Sequence, residues 1–314
     1  MPSSDDRIDA RDWLLLIVLS VLWGGSFFFN SLVLRDLPPF TTVFLRVALA
    51  ALILLPGLWI YRLSFPKGIL GWKPFFAVAL FNNVLPFSLI VTGQTYIASG
   101  LAAILNATTP LFTILVMAAA GEEKLSVRRV TGVIAGLIGV IVLRGETLGL
   151  ASGQGLGILL CLAGAFSYGI AALTARRHLA GTPPLASATF QLLAATVMMT
   201  IVAGVVERPW QLPIPGVSTW LAVLGLAALS TALAYIVFFQ ILRRSGATNV
   251  MLVTLLIPVT AILLGCFVLG ESISVREIIG ALVIGSALLL IDGRVLGLGA
   301  NRENNPMHSR RETK

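Results

Sequence analysis

The sequence predicts an all-α membrane protein in which ten transmembrane helices form two inverted five-helix repeats. Three observations carry that prediction: an apolar content that no soluble fold of this size can bury, ten hydrophobic runs of membrane-crossing length, and an ordered series of residue matches between the two halves. Of 314 residues, 57% are Ala, Val, Ile, Leu, Met, Phe, Trp, Tyr or Cys, and 11% are charged, about half the charged share of an average soluble domain. Hydrated domains, disordered chains and fibres are excluded. The two cysteines, Cys161 and Cys266, are too few for a disulfide framework or a zinc site; both sit in apolar runs and read as small core filler. The net charge of +8 comes from basic residues that punctuate hydrophobic segments, so it does not mark a nucleic-acid binder.

A bilayer core takes about 20 apolar residues per helix. The runs, in order, are 13–34, 38–60, 73–96, 99–120, 128–143, 155–176, 184–206, 218–242, 247–269 and 276–293. The first has no small-residue cleavage site after it and reads as a permanent span rather than a signal peptide. The fifth and tenth are the shortest. The runs are continuous, with no alternating polar face for a barrel lumen, so they are helices. Ten crossings put both termini on one side. Seventeen Lys and Arg residues lie on that side, against Arg35, Arg144, Arg208 and Arg276 on the other, so the termini are expected in the cytoplasm. Residues 1–12 are then a cytoplasmic N-terminus and 294–314 a polar, disordered cytoplasmic tail.

The chain reads as a duplication, 13–145 followed by 153–293. Pro38-Pro39 recurs as Pro183-Pro184; at the same offset of 145, Trp23-Gly24 falls on Tyr168-Gly169 and Arg46 on Gln191. Further along, at an offset of 148, Pro110 meets Pro258, the stretch from Glu123 to Arg128 meets that from Glu271 to Arg276, and Gly132 meets Gly280. Five spans per repeat force the second copy to cross the membrane inverted, the architecture of alternating-access transporters with substrate near the midplane.

With Trp23-Gly24, Arg46, Pro110 followed by Glu123-Lys124-Leu125, and Pro258 followed by Gly270-Glu271, the chain resembles the drug/metabolite transporter superfamily, and within it the EamA-type members. The resemblance covers residues 12–293 and is most like bacterial amino-acid and metabolite exporters. It implies a multi-pass protein of the inner (cytoplasmic) membrane that moves amino acids, other metabolites, nucleotide-sugars or drugs. Its motifs mark the fold and say little about substrate.

Candidate site residues follow from polar groups at mid-membrane depth. A proline inside a helix frees the carbonyl four residues earlier: Pro110 frees that of Asn106, Pro258 that of Thr254. These repeat equivalents are expected either to line a cavity or to be satisfied by hydroxyls such as those of Thr108 or Thr109, with Pro110 and Pro258 as gating hinges. Trp23, Ser26, Asn82, Asn83, Ser167 and Tyr168 lie at similar depth, and Tyr235 and Gln94 are weaker candidates. The substrate-binding set is therefore Trp23, Ser26, Asn82, Asn83, Asn106, Tyr168 and Thr254; the aromatic rings suit an ammonium group or an aromatic substrate, and the amides could equally be interhelical glue. Arg46 is the one charge well inside a span. It could attract a substrate carboxylate, and is read as a structural charge bonding carbonyls. Gly132, Gly136 and Gly139, echoed by Gly280 and Gly285, form a flat face expected to pack the fifth helix on the tenth; the chain is expected to be a monomer, with a homodimer through this face as the alternative.

No Asp, Glu or His occupies the central third of a span, and Glu122, Glu123 and Glu271 read as interface anchors. Proton-coupled pumps carry such groups in the membrane, so an uncoupled facilitator is expected. No metal cluster, nucleophile–base pair, Walker loop or dinucleotide fingerprint is present; neither an enzyme nor a cofactor is expected. The lead reading is export of amino acids or related small metabolites. The rivals are efflux of drugs or hydrophobic metabolites and, further off, a passive channel or a membrane-embedded enzyme.

Overall fold

A computed structural model describes residues 9–123, 125–144, 153–250 and 252–292, excepting the side chains of Arg144, 246–249 and Asp292. The cytoplasmic tail expected over 294–314 lies outside the described residues, as do the first eight positions. Within them every regular element is helical: α1 (Ala10–Val33), α2 (Pro39–Ile60), α3 (Gly68–Gly93), α4 (Ser99–Ala119), α5 (Val127–Arg144), α6 (Gly153–His178), α7 (Pro184–Val206), α8 (Val217–Ser245, its backbone helical to Val250), α9 (Val253–Leu269) and α10 (Val275–Asp292). Seven of them, α1–α4 and α6–α8, are long and apolar enough to cross a membrane, and α9 is a shorter apolar helix. The chain is a multi-pass membrane protein.

Local chemistry explains most boundaries. Pro39 and Pro184 open α2 and α7 within the first turn, where the missing N–H is harmless and the fixed φ suits a helix. Gly270, at φ +70°, ends α9 in the left-handed conformation. The third helix begins at Gly68 rather than 73, running through Pro74; the carbonyl that Pro74 leaves unpaired belongs to Leu70, which is 72% exposed. Two expectations need correction. The ninth helix starts at Val253, because 247–250 continue α8 instead of opening α9. The fourth span is two segments rather than one kinked helix, Ser99–Asn106 and Thr109–Ala119, with a turn at Ala107 and Thr108. Thr108 donates its hydroxyl to the Leu105 carbonyl (2.6 Å) and Thr109 to that of Asn106 (2.7 Å). Both hydroxyls take acceptors that a continuing helix would have filled, and Pro110 supplies no N–H.

The two halves interleave. α1 packs on α8 and α9, α6 on α3 and α4, α2 on α7, and α5 on α10. Lipid offers no hydrophobic drive between helices, so close approach through small residues matters most. An added Cβ on Gly24 would meet Thr260 Cβ at 2.7 Å and the Ile257 carbonyl at 3.0 Å. On Gly169, its sequence match, it would meet the backbone of Phe112 and Thr113 at 3.1 Å. Gly132, Gly139 and Gly280 join α5 to α10 against Ile291, Ile284 and Leu143. Gly136 departs from that face, pointing instead at Leu111 of α4, and Gly285 faces open space. Cys161 is buried against Gly93 at the α3–α6 crossing.

Two widened π-type turns interrupt otherwise regular helices, Leu80–Val84 in α3 and Ala228–Leu233 in α8. They carry Asn82-Asn83 and Ser230-Thr231, which lie 148 positions apart in sequence. Such turns concentrate at functional sites.

Candidate functional site

A cavity of about 440 Å³ lies among α1–α4 and α6–α9, while α5 and α10 add nothing to its lining. On the face where α1 begins (the near face), the lining reaches the ends of α6 at Ala175, α7 at Ser187, α8 at Val250 and α9 at Val253. Toward the opposite, far face only α1 and α3 still line it, at Asn30 and Val91.

A buried hydrogen-bonded pair lies at the far end. Asn30 donates to the Gln94 side-chain oxygen (2.8 Å), and Gln94 donates to the Phe27 carbonyl (2.9 Å). Above it, carboxylates cap helix starts that have no side-chain cap of their own. Glu207, after α7, accepts from the backbone N–H groups of Phe40 and Thr41 and the Thr41 hydroxyl. Glu271, after α9, accepts from Ser99 N–H (3.0 Å), the Ser99 hydroxyl (2.7 Å) and Gly100 N–H (3.4 Å). Asp36 accepts from the Thr219 hydroxyl. A carboxylate at a helix N-terminus satisfies orphan donors and complements the dipole. Glu271 is therefore more than the interface anchor expected of it.

The near face is held differently. Glu122 pairs with Arg177 (2.8 Å) and Arg176 (3.7 Å), Glu123 with Arg129 (2.7 Å) and Arg176 (3.8 Å), and Asp12 with Arg244 (2.9 Å). Of these, the Glu122, Glu123 and arginine side chains are partly exposed. The Arg177 hydrogen bond and charge, with Arg176 behind it, hold the Glu122 carboxyl below its ordinary value.

Trp23, Ser26, Asn82, Asn106, Tyr168, Thr254 and Pro110 line the cavity; Asn83 and Pro258 do not. Trp23 packs against Phe238, ring centroids 5.4 Å apart, and the Ser26 hydroxyl is spent on the Trp23 carbonyl. The Asn106 carbonyl is taken by Thr109, but its side-chain oxygen is buried without a partner. Asn83 is fully buried and supports the site from behind. Its amide donates to the Tyr235 hydroxyl (3.0 Å), and Asn82 donates to that oxygen (3.3 Å) and to Gln191 (3.2 Å). Arg46 also differs from expectation. Among the described residues it bonds no carbonyl: its Nε donates to the Thr231 hydroxyl (2.9 Å), and its guanidinium lies 3.7 Å over the Phe87 ring. Ser167 turns away, donating to the Phe81 carbonyl.

Gln191, Phe87, Ser230 and Thr231 do not stand out from sequence as site residues, although the duplication makes the first three the matches of residues that line the cavity. Arg46 and Gln191, Trp23 and Tyr168, Asn106 and Thr254, Asn82 and Ser230, and Phe87 and Tyr235 are matching positions in the two halves, and every one lines this cavity. Among the described residues no cluster of three or more His, Cys, Asp or Glu is placed to hold a metal ion.

The sequence pattern of the EamA-like transporter family matches residues 12–145 and again 155–292. The chain is 26% identical to the uncharacterized transporter YoaV of Bacillus subtilis, over 86% of this chain and 92% of YoaV. It is 27% identical to the uncharacterized inner membrane transporter YedA of Escherichia coli, over 88% and 89%. It is 26% identical to a probable amino-acid metabolite efflux pump of Salmonella typhimurium, over 89% and 94%. One crystal structure shares the fold with a TM-score of 0.66 at 20% identity, over 93% of this chain and 100% of the other.

Proposed function

This chain belongs to the EamA-like transporter family, and from that premise we propose that it exports amino acids or related small metabolites across the inner membrane by alternating access. In this reading all ten helices cross the bilayer as two inverted five-helix repeats with both termini cytoplasmic. α5 and α10, at about 27 Å each, cross as a mutually packed pair in a slightly thinned bilayer. The near face is then cytoplasmic, in keeping with its excess of Lys and Arg, and the conformation is open to the cytoplasm and sealed outside.

The single observation that carries the proposal is the cavity of about 440 Å³ between the halves, lined by matching positions from each. Its polar groups suit a zwitterion, with the unpartnered Asn106 oxygen and aromatic faces for an ammonium, and Arg46 with the amides and hydroxyls for a carboxylate. Substrate bound in the cavity would be released outside once the far-face caps open and the near face closes. Among the described residues no carboxylate or histidine lines the cavity, which favours an uncoupled facilitator. The relative named as an amino-acid metabolite efflux pump gives the substrate class its direction.

Flux of labelled amino acids in proteoliposomes tests this. Saturable flux with acceleration by unlabelled substrate on the opposite side is expected, unchanged by a proton uncoupler. Non-saturating flux without trans-acceleration would point to a channel, and no protein-dependent flux for any amino acid would remove the substrate class. The aromatic lining of Trp23, Phe87, Tyr168, Tyr235, Phe238 and Phe239 supports hydrophobic-metabolite efflux as the second reading.

A further inference from the structure

Arg46 is 6% exposed and is, among the described residues, the only charged group lining the cavity. It has no ion-pair partner there, and its one hydrogen bond uses Nε. The two terminal nitrogens of its fork are left over. The Phe87 ring offsets part of the charge, yet a desolvated guanidinium without a counter-ion is costly. Helix α2 nevertheless keeps it at the cavity wall, held at Nε and stacked on a ring so that the terminal nitrogens stay in one orientation.

The neighbouring hydroxyls have the same polarity. Tyr235 oxygen accepts from both Asn82 and Asn83, which occupies its lone pairs and leaves its own proton to donate. The Tyr168 hydroxyl has no protein partner among the described residues and lines the same cavity. Arg46, Tyr168 and Tyr235 line one cavity, and the residues that hold Arg46 and Tyr235, Thr231 and Asn82, line it too. A forked cation that shares its cavity with phenolic donors is matched by a planar anion that accepts two parallel hydrogen bonds. Phe238, Phe239 and Trp23 offer apolar surface to the rest of such a molecule.

We propose that Arg46, with the Tyr168 and Tyr235 hydroxyls, is the receptor for a substrate carboxylate, and that the cavity selects small carboxylates with an apolar or aromatic body and rejects organic cations. The inference rests on reading this cavity as the transport site and deepens it: the counter-ion missing from the protein is the cargo itself. A zwitterion and a simple carboxylate both satisfy Arg46; an amine without a carboxylate does not.

The test uses three probes that differ in one group each: L-phenylalanine, 3-phenylpropionate, which lacks the ammonium, and L-phenylalaninamide, which lacks the carboxylate. Binding to the purified full-length protein is read by ligand-dependent thermal shift, and flux in proteoliposomes. The wild type is expected to bind both carboxylates at least about tenfold more tightly than the amide, the loss that accompanies one charge-assisted hydrogen bond. Arg46→Gln should bring that ratio close to one, Arg46→Lys should keep most of it, and Tyr235→Phe should lower it a few-fold. The ratio is insensitive to a general loss of stability, and the lysine and phenylalanine variants keep the test decisive should Arg46→Gln fail to fold. A wild type that binds the amide as well as the acids, or none of the three, overturns the proposal, as does a ratio that survives in Arg46→Gln. Flux without discrimination would sink this inference and leave the transporter reading standing. Binding discrimination without flux would keep Arg46 as a carboxylate receptor and overturn the reading of that carboxylate as cargo.

Discussion

The wall of the cavity before residue 145 and the wall after residue 153 are built from matching positions but carry different chemistry. Arg46 on the first side corresponds to Gln191 on the second, Phe87 to Tyr235, and the Asn82-Asn83 turn to the Ser230-Thr231 turn. The bonds that hold the wall mostly run between halves: Arg46 to Thr231, Asn82 to Gln191, and both asparagines to Tyr235. A duplicated scaffold supplies the frame, and the charge lies on one side of it. A ligand therefore meets a polarised pocket.

The two faces differ in the same way. Glu271 and Glu123 are sequence equivalents. Glu271 is closed on the start of α4 in the other half, whereas Glu123, among the described residues, pairs with Arg129 and with Arg176 of the other half. A carboxylate sunk on backbone donors is a firmer tie than a partly exposed ion pair. The far face is thus fastened between halves through backbone donors, and the near face through side-chain partners, of which only Asp12 is buried.

The largest effect that sharpens this comparison lies at the paired crossings. Gly24→Val and Gly169→Val each drive a side chain into a neighbouring helix and should cost about 3 kcal/mol or abolish folding, read as loss of a monodisperse, cooperatively melting protein. A benign Gly169→Val would break the equivalence of the two crossings.

Next comes the cap. Glu271→Ala should cost about 2 kcal/mol and raise the reactivity of a cysteine placed at Ser26, on the cavity lining, toward a reagent applied from the far face. Glu123→Ala should cost less than about 1 kcal/mol and leave that labelling unchanged. Equal effects of the two would mean that the faces are fastened alike.

A smaller contrast separates two glycines of α10. Gly280→Ala collides with Leu143 and approaches the Gly139 carbonyl, and should lower the melting temperature. Gly285→Ala has room and should raise stability by about 0.5–1 kcal/mol.

The smallest effect concerns pH. Glu122 is depressed by Arg177, so its contribution is complete above the ordinary carboxylate value and fades as pH falls through its lower folded value. Acidification should loosen the near face in the wild type, and Glu122→Gln should remove that part of the pH dependence, measured as near-face cysteine reactivity against pH.

Much of the site was legible in the sequence because buried polar groups are conspicuous in apolar runs and the duplication identifies their mates. Trp23, Asn82, Asn106, Tyr168 and Thr254 stand out this way, and all five line the cavity. Asn83 does not line the cavity and bonds Tyr235 of α8 instead, as the interhelical alternative expects; a regular helix gives no hint of the π-type turn that sets both asparagines on Tyr235. For α4 the sequence offers both outcomes, cavity lining and closure by Thr108 or Thr109, and both occur: Thr109 takes the Asn106 carbonyl while Asn106 lines the cavity; Pro110 alone does not show that the helix breaks into two segments. Glu207 left a weaker trace: α2 begins with two prolines and no capping side chain, so an acceptor had to come from elsewhere.

The sequence by itself determined that this protein is helical, apolar and internally repeated, since hydropathy, proline placement and the matching of residues are local or one-dimensional properties. Only the tertiary structure decided which carboxylate meets which helix start, that Gly136 faces α4 while Gly139 faces α10, and that Arg46 reaches a hydroxyl and a ring instead of a carbonyl. Those choices depend on helices brought together from distant parts of the chain, and hydrogen bonds and van der Waals contacts act only over a few ångströms once packing has set the neighbours.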